Sequence, residues 1–213
     1  MSEKFSEIAW KNALPIINKI KKHPMIIELI NGVLNEKKFE NYVVQDILYL
    51  IDYEIILKNL SKRLKIESHK AKFLKHSIGT KECLEYMRKE YIQPFNMKEV
   101  EIKSPACSEY INFLYENVNN KSIEEALVSC LPCFWVYDYI GRFMYKNHKK
   151  PNKYEKWFSD YKDDKESKSV KEYIEICNNF AKNNPSALNS MIETFKKGCE
   201  CEYNLWNESY TDF

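Results

Sequence analysis

The chain has 213 residues, enough for one domain with a sizeable core, and residues 1–213 are expected to form it. Its formal charge of +2 comes from acids and bases mixed along the sequence, which leaves no basic footprint for nucleic acid. No window approaches the ~18 apolar residues of a membrane span, Met1-Ser2-Glu3-Lys4 lacks an apolar signal core, and seven cysteines without framework spacing suggest reduced thiols in a cytoplasmic protein.

Glycine is scarce and Leu, Ile, Lys, Glu and Asn dominate, a balance that favours helices over strands. Helical periodicity runs through 5–20, interrupted at Pro15, and then through 24–31, with Gly32 as the stop. A long helix is expected over 36–64, with Phe39, Tyr42, Val43, Ile47, Leu50, Ile51, Ile55 and Leu60 among its apolar and aromatic positions. Further helices are expected over 67–90, 107–118, 122–146, 152–161, 168–181 and 186–206, and 93–105, with its two prolines, reads as a connection. No alternating strand pattern competes with these, so the expectation is an all-α bundle of roughly eight helices.

Three constellations carry possible chemistry. In the long helix, Tyr42, Asp46, Tyr49 and Tyr53 follow 4-3-4 spacing and form one stripe, a carboxylate within a row of phenols. Spacing alone favours a semi-exposed edge with a solvated Asp46. Were the carboxylate buried, it would need hydrogen bonds, which the tyrosine hydroxyls could supply. The second constellation is Ser129-Cys130-Leu131-Pro132-Cys133-Phe134-Trp135-Val136-Tyr137, in a helix announced by Ser122 with Glu124 and Glu125 in its first turn. One turn separates Cys133 from Tyr137, which places a thiol and a phenol on one face. A cysteine on an apolar helix face is by itself more often a small core residue than a nucleophile. Cys130 and Cys133 spell C-x-x-C without the βαβ unit a redox motif needs. A zinc site with Cys199 and Cys201 is disfavoured, because Cys-x-Cys on a helix splays its thiols apart.

The third is Gly198-Cys199-Glu200-Cys201-Glu202-Tyr203-Asn204-Leu205-Trp206, where Glu202 and Trp206 share a face. An indole wall raises a carboxyl pKa and suits the group to proton transfer, although the segment alone reads as the polar end of an amphipathic helix. His23, just before Pro24, reads as a local hydrogen-bonding residue rather than a haem or metal ligand.

These segments together resemble the TenA/thiaminase II family. The ordered match begins at Trp10 and includes His23-Pro24-Met25-Ile26, Asn31-Gly32-Val33-Leu34 and the run from Phe39 through Gln45-Asp46 to Leu50. It continues through Tyr110, Leu131-Pro132-Cys133 to Tyr137, Gly141 and the run from Tyr154 to Tyr161, and closes on Glu202 to Trp206. The resemblance implies a haem-oxygenase-like helical fold without haem, a homotetramer, no cofactor and no metal. It implies hydrolysis of 4-amino-5-aminomethyl-2-methylpyrimidine, or of thiamine, to 4-amino-5-hydroxymethyl-2-methylpyrimidine in thiamine salvage. By the same resemblance Cys133 is the nucleophile and Glu202 the acid/base. Asp46 holds the pyrimidine's amidine edge, and Tyr49, Tyr110, Tyr137 and Tyr161 line the pocket. Two departures stand out: Tyr139 replaces a glutamate common in relatives, and Leu205 replaces a phenylalanine. The competing readings are a non-catalytic aminopyrimidine-binding or regulatory protein on this fold, and a relative that degrades haem or matures a quinone cofactor. Neither of the last two needs the thiol.

Overall fold

The computed structural model describes residues 3–93, 97–98, 101–162 and 167–211. Among them are nine α-helices and no strand, the all-α architecture the periodicity predicts: α1 (Phe5–Lys21), α2 (Pro24–Asn31), α3 (Glu36–Arg63), α4 (Glu67–Met87), α5 (Pro105–Asn120), α6 (Ile123–Asn147), α7 (Glu155–Phe158), α8 (Lys168–Asn183) and α9 (Leu188–Thr211). Part of the expected connection 93–105 lies outside the described residues.

Local chemistry sets most boundaries. His23 caps α2, its Nδ1 accepting from the Met25 amide at 3.2 Å, and Pro24 opens the helix where no amide is missed. Asn35, Ser104 and Ser167 cap α3, α5 and α8 with side-chain oxygens. Ser122 and Glu125 form a capping box at the start of α6. Gly32 ends α2 at φ +72°, a backbone state open to glycine at little cost.

Two expectations change. Pro15 lies inside α1 without interrupting it. The expected helix over 152–161 shrinks to α7 and a following 3-10 turn, Ser159–Tyr161. Asn152 explains the difference. Its Nδ2 donates to the Leu29 and Ile30 carbonyls at 2.9 and 3.0 Å, while its Oδ1 accepts from the Tyr154 amide at 2.8 Å. The residue is thereby committed to the last carbonyls of α2 and held out of helix geometry.

The core is built around α9, which packs on α1, α6, α3 and α5. From α1 come Phe5, Ala9, Ala13, Ile17 and Ile20 at helical spacing, all buried. On the other side α3 pairs with α4 and α5, and α8 covers α6. Between these halves α3, α4, α6 and the Ser159–Tyr161 turn leave a cleft of about 800 Å³.

Candidate active site

The α3 stripe is not a semi-exposed edge. Tyr42, Tyr49 and Tyr53 are 0, 2 and 1 % exposed and Asp46 is 7 % exposed, because α3 is packed by α4, α5, α6 and α9 on its several faces. The phenols do not bond the carboxylate either. Tyr42 and Tyr137 share a short hydroxyl–hydroxyl hydrogen bond, and the Tyr53 hydroxyl donates to the Cys130 carbonyl at 2.6 Å. The buried Tyr49 hydroxyl has no hydrogen-bond partner among the described residues. Asp46 faces the cleft with no hydrogen-bond partner among the described residues, and loss of hydration pushes its pKa up to about 7.

Helix α6 presents Cys133 and Tyr137 to the same cleft, as their one-turn spacing predicts. Trp206 of α9 joins them, stacked on Tyr42 at 4.4 Å between ring centroids and lying 5.6 Å from the Tyr137 ring. Tyr161, from the turn after α7, closes another side of the cleft. Its ring lies so close to α6 that only a residue without a Cβ fits at Gly141.

Glu202 sits one turn before Trp206 on α9 and is 1 % exposed, whereas Glu200 is partly exposed. Of the two glutamates, Glu202 is thus the buried one. The Tyr110 hydroxyl donates to its Oε1 at 2.7 Å. Burial pushes the carboxyl up to about 8. The Tyr110 hydrogen bond pulls it back, and the Asp46 charge adds to the rise. Glu202, Tyr49 and Tyr110 stand behind the cleft wall, whereas Asp46, Cys133, Tyr137 and Tyr161 form it. Tyr49 and Tyr110 pack ring on ring at 4.9 Å and link the carboxyl to the thiol's surroundings.

Burial first, and then the Glu202 charge, hold the half-buried Cys133 thiol well above the usual thiol range. The nearby Tyr49 and Tyr53 hydroxyls act the other way, favouring the thiolate. At neutral pH the resting site therefore holds a protonated thiol beside a largely protonated carboxyl. Such a pair can deliver a proton to a basic ligand and form a thiolate as positive charge develops on that ligand.

Helical spacing also marks a further part of the cleft, which carries no motif. On α4, His76, Thr80, Cys83 and Met87 repeat the 4-3-4 row of α3 and line the facing wall. Tyr53 and Trp157 also line it. Of the remaining singled-out residues, Tyr139 packs edge-on against Trp10 at 5.0 Å, outside the cleft lining. Asp138 pairs with Arg142 at 2.9 Å, at a side recess of about 280 Å³ that opens beside Cys133. All seven cysteines are unpaired. No three His, Cys, Asp or Glu side chains among the described residues gather as a metal site, so Cys130, Cys133, Cys199 and Cys201 form no zinc centre. No described helix is long and apolar enough to cross a membrane.

The chain is similar to several known proteins. An aminopyrimidine aminohydrolase of Bacillus subtilis (strain 168) is 26 % identical over 193 residues, covering 88 % of this chain and 82 % of its own. One from Staphylococcus carnosus (strain TM300) is 25 % identical over 217 residues, covering 97 % of this chain and 94 % of its own. Among solved structures, a TenA homologue from Pyrococcus furiosus matches the fold with a TM-score of 0.90 at 18 % identity, over 97 % of this chain and 100 % of that one. Residues 10–212, which include every side chain of the site, match the sequence profile of the TENA/THI-4/PQQC family, and the chain belongs to that family.

Proposed function

We propose that this protein hydrolyses the bond between an aminopyrimidine methylene and its leaving group. Its substrates would be 4-amino-5-aminomethyl-2-methylpyrimidine and thiamine, and its product 4-amino-5-hydroxymethyl-2-methylpyrimidine. One observation carries the reading. Cys133 and Asp46 face one cleft, and a buried Glu202, protonated near neutrality, lies within electrostatic reach of both.

In this reading Asp46 accepts from the exocyclic amine and fixes the ring. Glu202 gives its proton to a ring nitrogen, which makes the ring electrophilic. The Cys133 sulfur adds to the ring carbon beside that nitrogen and gives up its proton, which passes to the departing amine or, when neutral thiazole leaves, to water, as the electron pair moves through the ring to expel the leaving group from the methylene. Water adds its hydroxyl to the exocyclic double bond that remains and releases a proton. The carbon–sulfur bond then breaks, the sulfur regains a proton from water, Glu202 recovers the ring proton, and aromaticity returns. A thiol suits both ends of this sequence because its thiolate attacks and departs readily. Tyr137 and Tyr161 flank the ring, while Tyr49 and Tyr110 connect Glu202 to the thiol.

Every step uses side chains and water. The homotetramer expected from the resemblance would cover exposed apolar positions such as Leu74 and Ile78 of α4, and the unpaired thiols suit a reducing compartment such as the cytoplasm. Chromatography of product from both substrates, with wild type and Cys133→Ser, tests the reading. Hydroxymethyl pyrimidine is expected from wild type and not from the variant, and the ratio of rates names the preferred substrate. Folded wild type that binds the aminopyrimidine without releasing product would instead be a binding protein on this fold.

A further inference from the structure

Pro132 sits inside α6, where a proline removes the amide that would bond the Val128 carbonyl and crowds that carbonyl with its ring. Unlike Pro15 of α1, which is exposed, Pro132 is buried. Its neighbour in space is Gly198 of α9, also buried. A Cβ on Gly198 would stand 2.7 Å from Pro132 Cγ, 3.4 Å from the Ser129 carbonyl oxygen and 3.5 Å from Pro132 Cδ. The missing Cβ thus lets α9 rest directly on the proline ring, and a ring atom cannot swing aside as a flexible chain could.

This contact lies against both reacting groups. Cys133 is the next residue after Pro132, and Glu202 stands one turn beyond Gly198 on the helix that touches it. We infer that Pro132 and Gly198 form a spacer that fixes the approach of α9 to α6 and so sets the distance between the Cys133 thiol and the Glu202 carboxyl. They are positioning residues, and their role rests on the reaction proposed above.

The spacing they set is narrow. To bring the added carbon of Gly198→Ala from 2.7 Å to an ordinary contact of 3.4 Å, α9 must retreat by about 0.7 Å. A misplacement of ~1 Å can lower a rate about a hundredfold, so kcat is expected to fall at least about tenfold. Of the cleft lining only Trp206 rides on α9, while Asp46, Tyr137 and Tyr161 belong to α3, α6 and the turn after α7, so KM is expected to rise by a few-fold at most, less than kcat falls.

Three variants test this with kcat, KM and thermal unfolding. Gly198→Ala should lose more in kcat than it gains in KM. Pro132→Ala restores the helix amide, so it should unfold at the wild-type temperature or higher and still lose kcat, because the spacer has gone. The double variant removes the ring that the new methyl would strike, so its kcat should lie within about threefold of Pro132→Ala alone. The double and Pro132→Ala variants also decide the matter if Gly198→Ala does not fold. A folded Pro132→Ala or Gly198→Ala enzyme with wild-type kcat would overturn the spacer while the hydrolase reading stands. The same holds for a double variant no better than the sum of both losses. Wild type without turnover would instead sink the hydrolase reading and the spacer with it.

Discussion

Replacing Glu202 by glutamine should make the protein more stable and less active, and the gain in stability should depend on pH. Glutamine matches the side chain in shape and keeps an acceptor for the Tyr110 hydroxyl, but it never ionises. The carboxyl titrates near 4.5 without the fold and at about 8 within it. Between those values the folded protein keeps a proton that the unfolded chain has released, so stability falls as pH rises from about 4.5 and levels off above about 8. At about 1.4 kcal/mol per pH unit, the ceiling on this penalty is about 5 kcal/mol. By pH 8 roughly 4 kcal/mol of it is present, against less than about 1 kcal/mol at pH 5. The burial of Asp46 is common to both proteins and cancels, while its charge enters through the raised Glu202 pKa. Urea unfolding of wild type and Glu202→Gln at pH 5, 6, 7 and 8 reads the difference directly. The variant should pull ahead by up to about 3–4 kcal/mol across that range, while turnover falls by about 10²–10⁴. Stability differences that stay parallel from pH 5 to pH 8 would refute the claim that burial holds this carboxyl protonated.

Other consequences follow from the same geometry. Tyr110→Phe removes the one hydrogen bond that favours the Glu202 carboxylate, so the alkaline limb of kcat/KM should move to higher pH; an unmoved limb would separate Tyr110 from the acid. Asp46→Asn keeps the shape but loses a charged acceptor worth ~1.5–3 kcal/mol. KM for the aminopyrimidine should then rise by about 10–100-fold, as initial rates over a substrate series would show. At Gly141 an added methyl collides with the Tyr161 ring and drives it toward the cleft, so Gly141→Ala should raise KM about tenfold, more than it lowers kcat. A wild-type KM in that variant would mean that the ring can yield elsewhere.

Residues that share a helix face were legible from spacing. The one-turn separations of Cys133 from Tyr137 and of Glu202 from Trp206 needed only the helical repeat, and the row from Tyr42 to Tyr53 was visible as a row. Its burial was not visible, because burial depends on how many neighbours surround α3, and the pattern of α3 itself does not encode that. The partners of those hydroxyls were hidden for the same reason: Tyr42 finds Tyr137 and Tyr53 finds a carbonyl of α6, both supplied by another helix. The α4 row of His76, Thr80, Cys83 and Met87 had the spacing but small and mixed side chains, which read as ordinary helix surface. Asn152 had no periodic signature at all, since its work is to satisfy carbonyls more than a hundred residues earlier. The meeting of Pro132 and Gly198 belongs to the crossing of two helices, which no single-helix pattern records.

The central place of α9 also bears on how the protein is made. As the last helix in chain order, α9 faces the apolar row of α1 from across almost the whole sequence. While the chain emerges from a ribosome, Phe5, Ala9, Ala13 and Ile17 wait without their main partner until α9 has been made. For that interval the nascent protein presents a sticky helix to its surroundings and carries Cys133 without the Glu202 carboxyl. Folding and the assembly of the cleft arrive together, with α9.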